Sequence, residues 1–139
     1  MNKFVIYLLA VFFSTTVFAQ GGPTIRCRAI NHTGYVHGLD LRALELSLFK
    51  FNGVAYVELL HGGAPLRDRL NRPLYPAQDF QQAANFGSDI DFTTSRSASE
   101  RRPWGQVMIR FSPRRGDAAG FPAVVRFSEY AEVRFVCLR

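Results

Sequence analysis

The chain has 139 residues, a formal net charge of +6 and two cysteines. That length suits one domain with a single core and leaves no room for two. Basicity would suit nucleic acid, but residues 1–19 read as an export leader, which removes intracellular nucleic acid and points to anionic partners outside the cytoplasm.

Met1-Asn2-Lys3 is a short positive start, Phe4–Phe13 is apolar and too short to span a bilayer, and Val17-Phe18-Ala19 fits a cleavage site. The expected organisation is therefore a signal peptide over 1–19 and a single β domain over 20–139, located in the periplasm or secreted. Gln20–Pro23 is a lead-in. Thr24–Ile30 alternates, with Ile25, Cys27 and Ala29 on one face and Arg26 and Arg28 on the other, as in a half-buried strand. Asn31–Gly38 is rich in turn residues.

Leu41–Leu60 is the clearest segment. Two alternating runs flank Asn52-Gly53, the strongest short-range hairpin signal. A two-residue turn there sets Phe51 opposite Val54, Phe49 opposite Tyr56, Leu48 opposite Val57 and Leu46 opposite Leu59. One face collects Leu44, Leu46, Leu48, Ala55, Val57 and Leu59. The other is mixed, with Phe49, Phe51, Val54, Tyr56 and Leu60 among Glu45, Ser47 and Glu58. That second face needs a cover, and the long segment that follows is the candidate.

His61–Gln78 is broken by Gly62-Gly63, Pro65, Pro73 and Pro76 and carries Arg67, Arg69 and Arg72. Gln78–Asn85 allows one short helical turn. Phe86–Thr94 returns to alternation, Ser95–Pro103 reads as an exposed basic loop, and Trp104–Ser112 is a strand with Val107, Ile109 and Phe111 inward. Pro113–Pro122 is a loop. Ala123–Phe127 and Ala131–Leu138 complete the pattern. The expected fold is all-β, a small antiparallel β-sandwich or closed β-barrel of about seven strands. An outer-membrane barrel is disfavoured because Arg26, Arg28, Glu45, Glu58, Arg110 and Arg134 occupy outward positions.

Cys27 and Cys137 pair most simply as a disulfide in an oxidising compartment, making the terminal strands neighbours. Other chemistry is sparse. His32, His37 and His61 lack metal-ligand spacing, and Asp89 and Asp91 share a strand face without a calcium loop. No nucleophile elbow or phosphate-cradling glycine loop is present, so no catalytic residue, metal or cofactor is assigned.

The most suggestive pattern is arginine in three loops: Arg67, Arg69 and Arg72; Arg101 and Arg102 with Arg96 nearby; Arg114 and Arg115. Trp104, Tyr75 and Phe121 lie beside them as stacking groups. Two readings stay open, ordinary exposed arginines with Trp104 plugging the core, or converging loops that form a basic surface. The function expected is an exported non-catalytic binding module that presents Arg67, Arg69, Arg72, Arg101, Arg102, Trp104, Arg114 and Arg115 to an anionic glycan, envelope component or acidic protein. The alternative is a structural or assembly protein using the apolar hairpin face or a sheet edge. A small hydrolase built on Asp89, Asp91 and a histidine ranks third.

Overall fold

A computed structural model describes residues 24–68, 70–83, 87–128 and 130–138. The expected signal peptide over 1–19 lies outside these residues, as do Arg69 and Phe86.

The Asn52-Gly53 turn forms as its dipeptide dictates. Both residues sit at positive φ, 52° and 76°, the conformations that let a two-residue turn follow strand twist. It joins β2 (Leu44–Phe51) to β3 (Val54–His61). The register is the one counted outward from the turn, with Phe51, Phe49, Leu48 and Leu46 opposite Val54, Tyr56, Val57 and Leu59. Leu44, Leu46, Leu48, Val57 and Leu59 are all buried.

The remaining strands are β1 (Ile25–Gly34), β4 (Ala64–Pro65), β5 (Phe80–Ala83), β6 (Ile90–Thr94), β7 (Val107–Phe111), β8 (Gly120–Phe127) and β9 (Ala131–Leu138). All nine belong to one antiparallel sheet in the order β4-β3-β2-β1-β9-β8-β7-β6-β5. The sheet curls so that one face of every long strand meets a common core. Cys27 from β1, Val107 and Ile109 from β7, Val125 and Phe127 from β8, and Val133 and Phe135 from β9 join the hairpin leucines there.

Asn31–Gly34, expected to be turn, extends β1, and three further expectations need correction. Among the described residues there are nine strands rather than about seven, because β4 and β5 are too short to show a period. There is one curled sheet rather than two stacked ones, and among the described residues its edges, β4 and β5, do not hydrogen-bond to each other to close it. The third concerns Ser95–Pro103, which holds a helix, α1 (Arg96–Arg101), instead of a continuous loop. Ser95 caps it by accepting from the Ala98 N–H, Arg96 pairs with Glu100 one turn on, and Ala98 is fully buried. A Ser N-cap and an i,i+4 ion pair are helix signals that polarity had masked.

The 61–78 segment covers only the base of the hairpin's outer face. Pro65 of β4 lies opposite Leu60, which is buried, while Phe51 and Val54 at the tip remain 44% and 51% exposed. Of its apolar residues, Leu66 and Tyr75 enter the core, Leu74 packs against it and Leu70 stays exposed.

At the centre of the sheet, β1 pairs with β9 from Cys27↔Cys137 to Gly34↔Ala131, interrupted by a bulge near Ile30. The two cysteines are cross-strand partners, buried and joined as a disulfide across a sequence separation of 110. In the chain-entropy account a loop of this size is worth about 4–5 kcal/mol. A Cys27→Ser/Cys137→Ser variant should therefore lose roughly 4 kcal/mol of unfolding free energy in urea titration while keeping its β-sheet circular dichroism.

Candidate functional site

Strand direction decides which loops meet. Val107 lies opposite Phe127 and Leu44 opposite His61, so 34–43, 61–79, 95–106 and the β8–β9 turn gather at one end of the curled sheet. The 52–53 turn and the 113–119 segment lie at the other end, where Phe111 faces Ala123 and Gly120 faces Leu138. Arg67, Arg72, Arg101, Arg102 and Trp104 are thus brought together, and Arg114 and Arg115 are placed opposite them. Two of the three arginine loops converge.

The joint between those two loops is an ion pair. Arg102 donates through Nε to Asp79 Oδ2 at 2.7 Å and through Nη2 to Oδ1 at 3.3 Å, with Nη1 reaching the Pro73 carbonyl at 3.3 Å. Asp79 is 4% exposed, and its carboxylate raises the Arg102 pKa above the ordinary guanidinium value. Arg102 therefore ties the 61–79 segment to the end of α1. Arg72 is also engaged at home, its Nε donating to Asp68 Oδ2 at 2.9 Å. The Asp68 pKa falls below its usual range because the Arg72 backbone N–H, the Arg72 side chain and the Leu70 N–H all donate to it. The heads of Arg67 and Arg101 make single bonds to the Asn71 and Ser97 carbonyls, and both residues stay exposed.

Trp104 serves both as packing and as surface. Its ring stacks on Tyr75, with centroids 5.7 Å apart and an interplanar angle of 8°, and meets Phe127 edge-on at 6.0 Å. It nonetheless stays half-buried. The fully buried Tyr75 hydroxyl accepts from the Trp104 N–H at 2.9 Å and donates to the Gly105 carbonyl at 3.0 Å. Ser128 Oγ donates to the Trp104 and Gln106 carbonyls. Tyr75 and Ser128 both hold left-handed backbone, φ 50° and 44°, which side-chain-bearing residues adopt only where the surroundings enforce it. The main chain on both sides of Trp104 is clamped by two strained residues.

Shallow hollows surround the indole. One of 270 Å³ is lined by His61, Leu66, Arg67, Asp68 and Leu74 as well as Trp104, and the His61 Nε2 is buried without a hydrogen-bond partner. A second, of 250 Å³, runs between Tyr35, His37, Pro103, Trp104 and Tyr130. Tyr35 and Tyr130 are 67% and 62% exposed and are set side by side: Val36 is buried as an anchor, the Tyr35 N–H donates to the Tyr130 carbonyl, and a Cβ at Gly34 would collide with that same carbonyl. Sequence reasoning missed Tyr35 and Tyr130 and weighed His61 only for metal binding or hydrolysis, because only the β1–β9 pairing and the hairpin register bring the three to Trp104.

Asp89 and Asp91 face the other way. Both approach Arg110 on the outer surface, which donates to both Asp91 oxygens at 2.8 and 2.9 Å. No histidine lines the groove beside Asp91. Among the described residues, no group of three or more metal-ligating side chains is present.

Removing Arg102 leaves Asp79 buried without its partner, so Arg102→Ala should lose roughly 3–5 kcal/mol in urea titration. Burial pushes the Tyr75 phenol up to about 12, opposed by the hydrogen bond from Trp104. Folding thus favours the protonated form, and this stabilisation is intact below pH 10 and lost as the pH rises through about 12. Stability should fall across that interval by up to about 3 kcal/mol from this group, and Tyr75→Phe should remove that part of the fall.

Comparisons with protein-family models, with curated proteins and with solved structures gave no match to this chain.

Proposed function

We propose that the protein is an exported, non-catalytic binding module that takes an anionic ligand, whether glycan, envelope component or acidic protein, at the end of the sheet around Trp104. One observation carries this: a half-exposed indole held rigidly by Tyr75 and Phe127, flanked by the exposed Arg67 and Arg101 on loops that the Asp79–Arg102 pair ties together. Strain held around a surface aromatic is typical of binding sites. The leader over 1–19 supports export, and the Cys27–Cys137 disulfide fits an oxidising compartment. No helix among the described residues is long and apolar enough to cross a membrane. The non-catalytic assignment rests on the sequence, which offers no nucleophile beside a base. Arg114 and Arg115, at the opposite end, fall outside this site.

A second reading has its own observation. Phe51 and Val54 are exposed at the hairpin tip beside the stacked Phe49–Tyr56 pair, a surface suited to protein–protein contact in a structural or assembly role.

Trp104 is the single tryptophan of the chain, so its fluorescence reports on the proposed site directly. Titration with acidic glycans, anionic envelope components and acidic proteins should perturb its emission. Affinity should fall about tenfold when salt is raised from roughly 20 to 300 mM. The Arg67→Ala/Arg101→Ala variant should bind about tenfold more weakly with a flatter salt dependence. Absence of binding at low salt, where exposed charge contacts are strongest, would overturn the proposal and turn attention to the Phe51–Val54 tip.

A further inference from the structure

The hollows around Trp104 share walls. The 270 Å³ hollow on the His61 and Arg67 side and the 250 Å³ hollow on the Tyr35 and Tyr130 side meet at the indole. A third, of 490 Å³, is bounded by Pro103, Trp104, Ser128 and Tyr130, and continues past Ser128 and Tyr130 into a fourth, of 330 Å³, which reaches Thr33 and Arg126. Two of the four are smaller than the ~300 Å³ at which compact small-molecule sites begin. Successive hollows share lining residues, which sets them edge to edge as a shallow groove from Arg67 to Arg126.

Along that groove the chemistry alternates. Trp104, Tyr35 and Tyr130 supply flat apolar faces with polar edges, which suit the C–H faces of pyranose rings. Arg67 stands at one end, and at the other stands Arg126, whose Nη2 lies 3.8 Å from Glu132. Asp68, the carboxylate in the first hollow, is engaged by Arg72, so it does not oppose an anion there unscreened. Of these hollows, Arg67 lines only the first and Arg126 only the fourth, so the two do not cradle a single compact anion. They suit a ligand that carries its charges at intervals.

From this we infer that the groove binds a linear acidic oligosaccharide, its rings stacking on Trp104, Tyr35 and Tyr130 and its carboxylates meeting Arg67 and Arg126. This rests on the proposed location of the binding site around Trp104 and adds the class and shape of the ligand.

The test uses galacturonic acid and its oligomers of two, four and six units, with neutral glucose oligomers of matching length, read by Trp104 fluorescence and calorimetry. Affinity for the acidic series should rise at least tenfold from monomer to tetramer and then level off, with the neutral series at least tenfold weaker. Tyr35→Ala and Tyr130→Ala change exposed side chains, and both should weaken tetramer binding about fivefold, more than they weaken the monomer, with the circular dichroism unchanged. Equal affinity for monomer and hexamer, or no effect of either tyrosine variant, overturns the oligosaccharide inference and leaves the Trp104 site standing. So does a Trp104 response to a polyphosphate or acidic protein with none to any uronate. If no anionic probe perturbs Trp104, the inference and the site fall together.

Discussion

The pairing of β1 with β9 is the contact on which the rest of the fold depends. Every other ladder in the sheet joins strands adjacent in sequence: β1 to β4 form one run, and β5 to β9 form another. Among the described residues, only the central seam joins strands of the two runs in a hydrogen-bonded ladder, and its partners lie about a hundred residues apart in sequence. Closing so long a loop costs conformational entropy before any contact rewards it. The disulfide removes that cost once formed. The buried faces of both strands then complete a core to which neither run could contribute a closed surface alone.

What the sequence revealed and what it hid divide along physical lines. The hairpin was legible to the residue, because Asn-Gly dictates its own turn and period-two alternation then fixes the register. The inward face of β7 was legible for the same reason. Asn31–Gly34 was not: its turn-forming residues extend β1 because β9 supplies partners beyond the bulge, a tertiary override of local preference. β4 and β5 are too short to display a period, and α1 is a single polar helical segment whose cap was visible only to a reader looking for one.

The site was legible in composition but not in arrangement. Arginines in three loops can be counted from sequence, whereas their meeting depends on strand order, which composition does not encode. The same holds within the loops. Arg102 and Asp79 are 23 residues apart, and nothing local marks them as partners. Their pairing shows why charge alone was an ambiguous guide: Arg102 braces two loops, Arg72 organises a turn around Asp68, and Arg67 and Arg101 keep exposed heads. Trp104 resolves in a similar way. One ring face and one edge belong to the core, and that packing holds the remaining surface in place.

The central position of the seam has a consequence for chain connectivity. Ile25 and Leu138 begin and end their strands at the same end of neighbouring strands. A short linker between them, with the chain opened in the segment ahead of β5, would give a circular permutant in which all nine strands follow one another in space as they do in sequence. Such a molecule would be a plain up-and-down meander with only local pairings and a correspondingly low contact order. In the natural order, the slow step of assembly is therefore concentrated in one pair of strands, and the covalent bond between Cys27 and Cys137 sits on that pair.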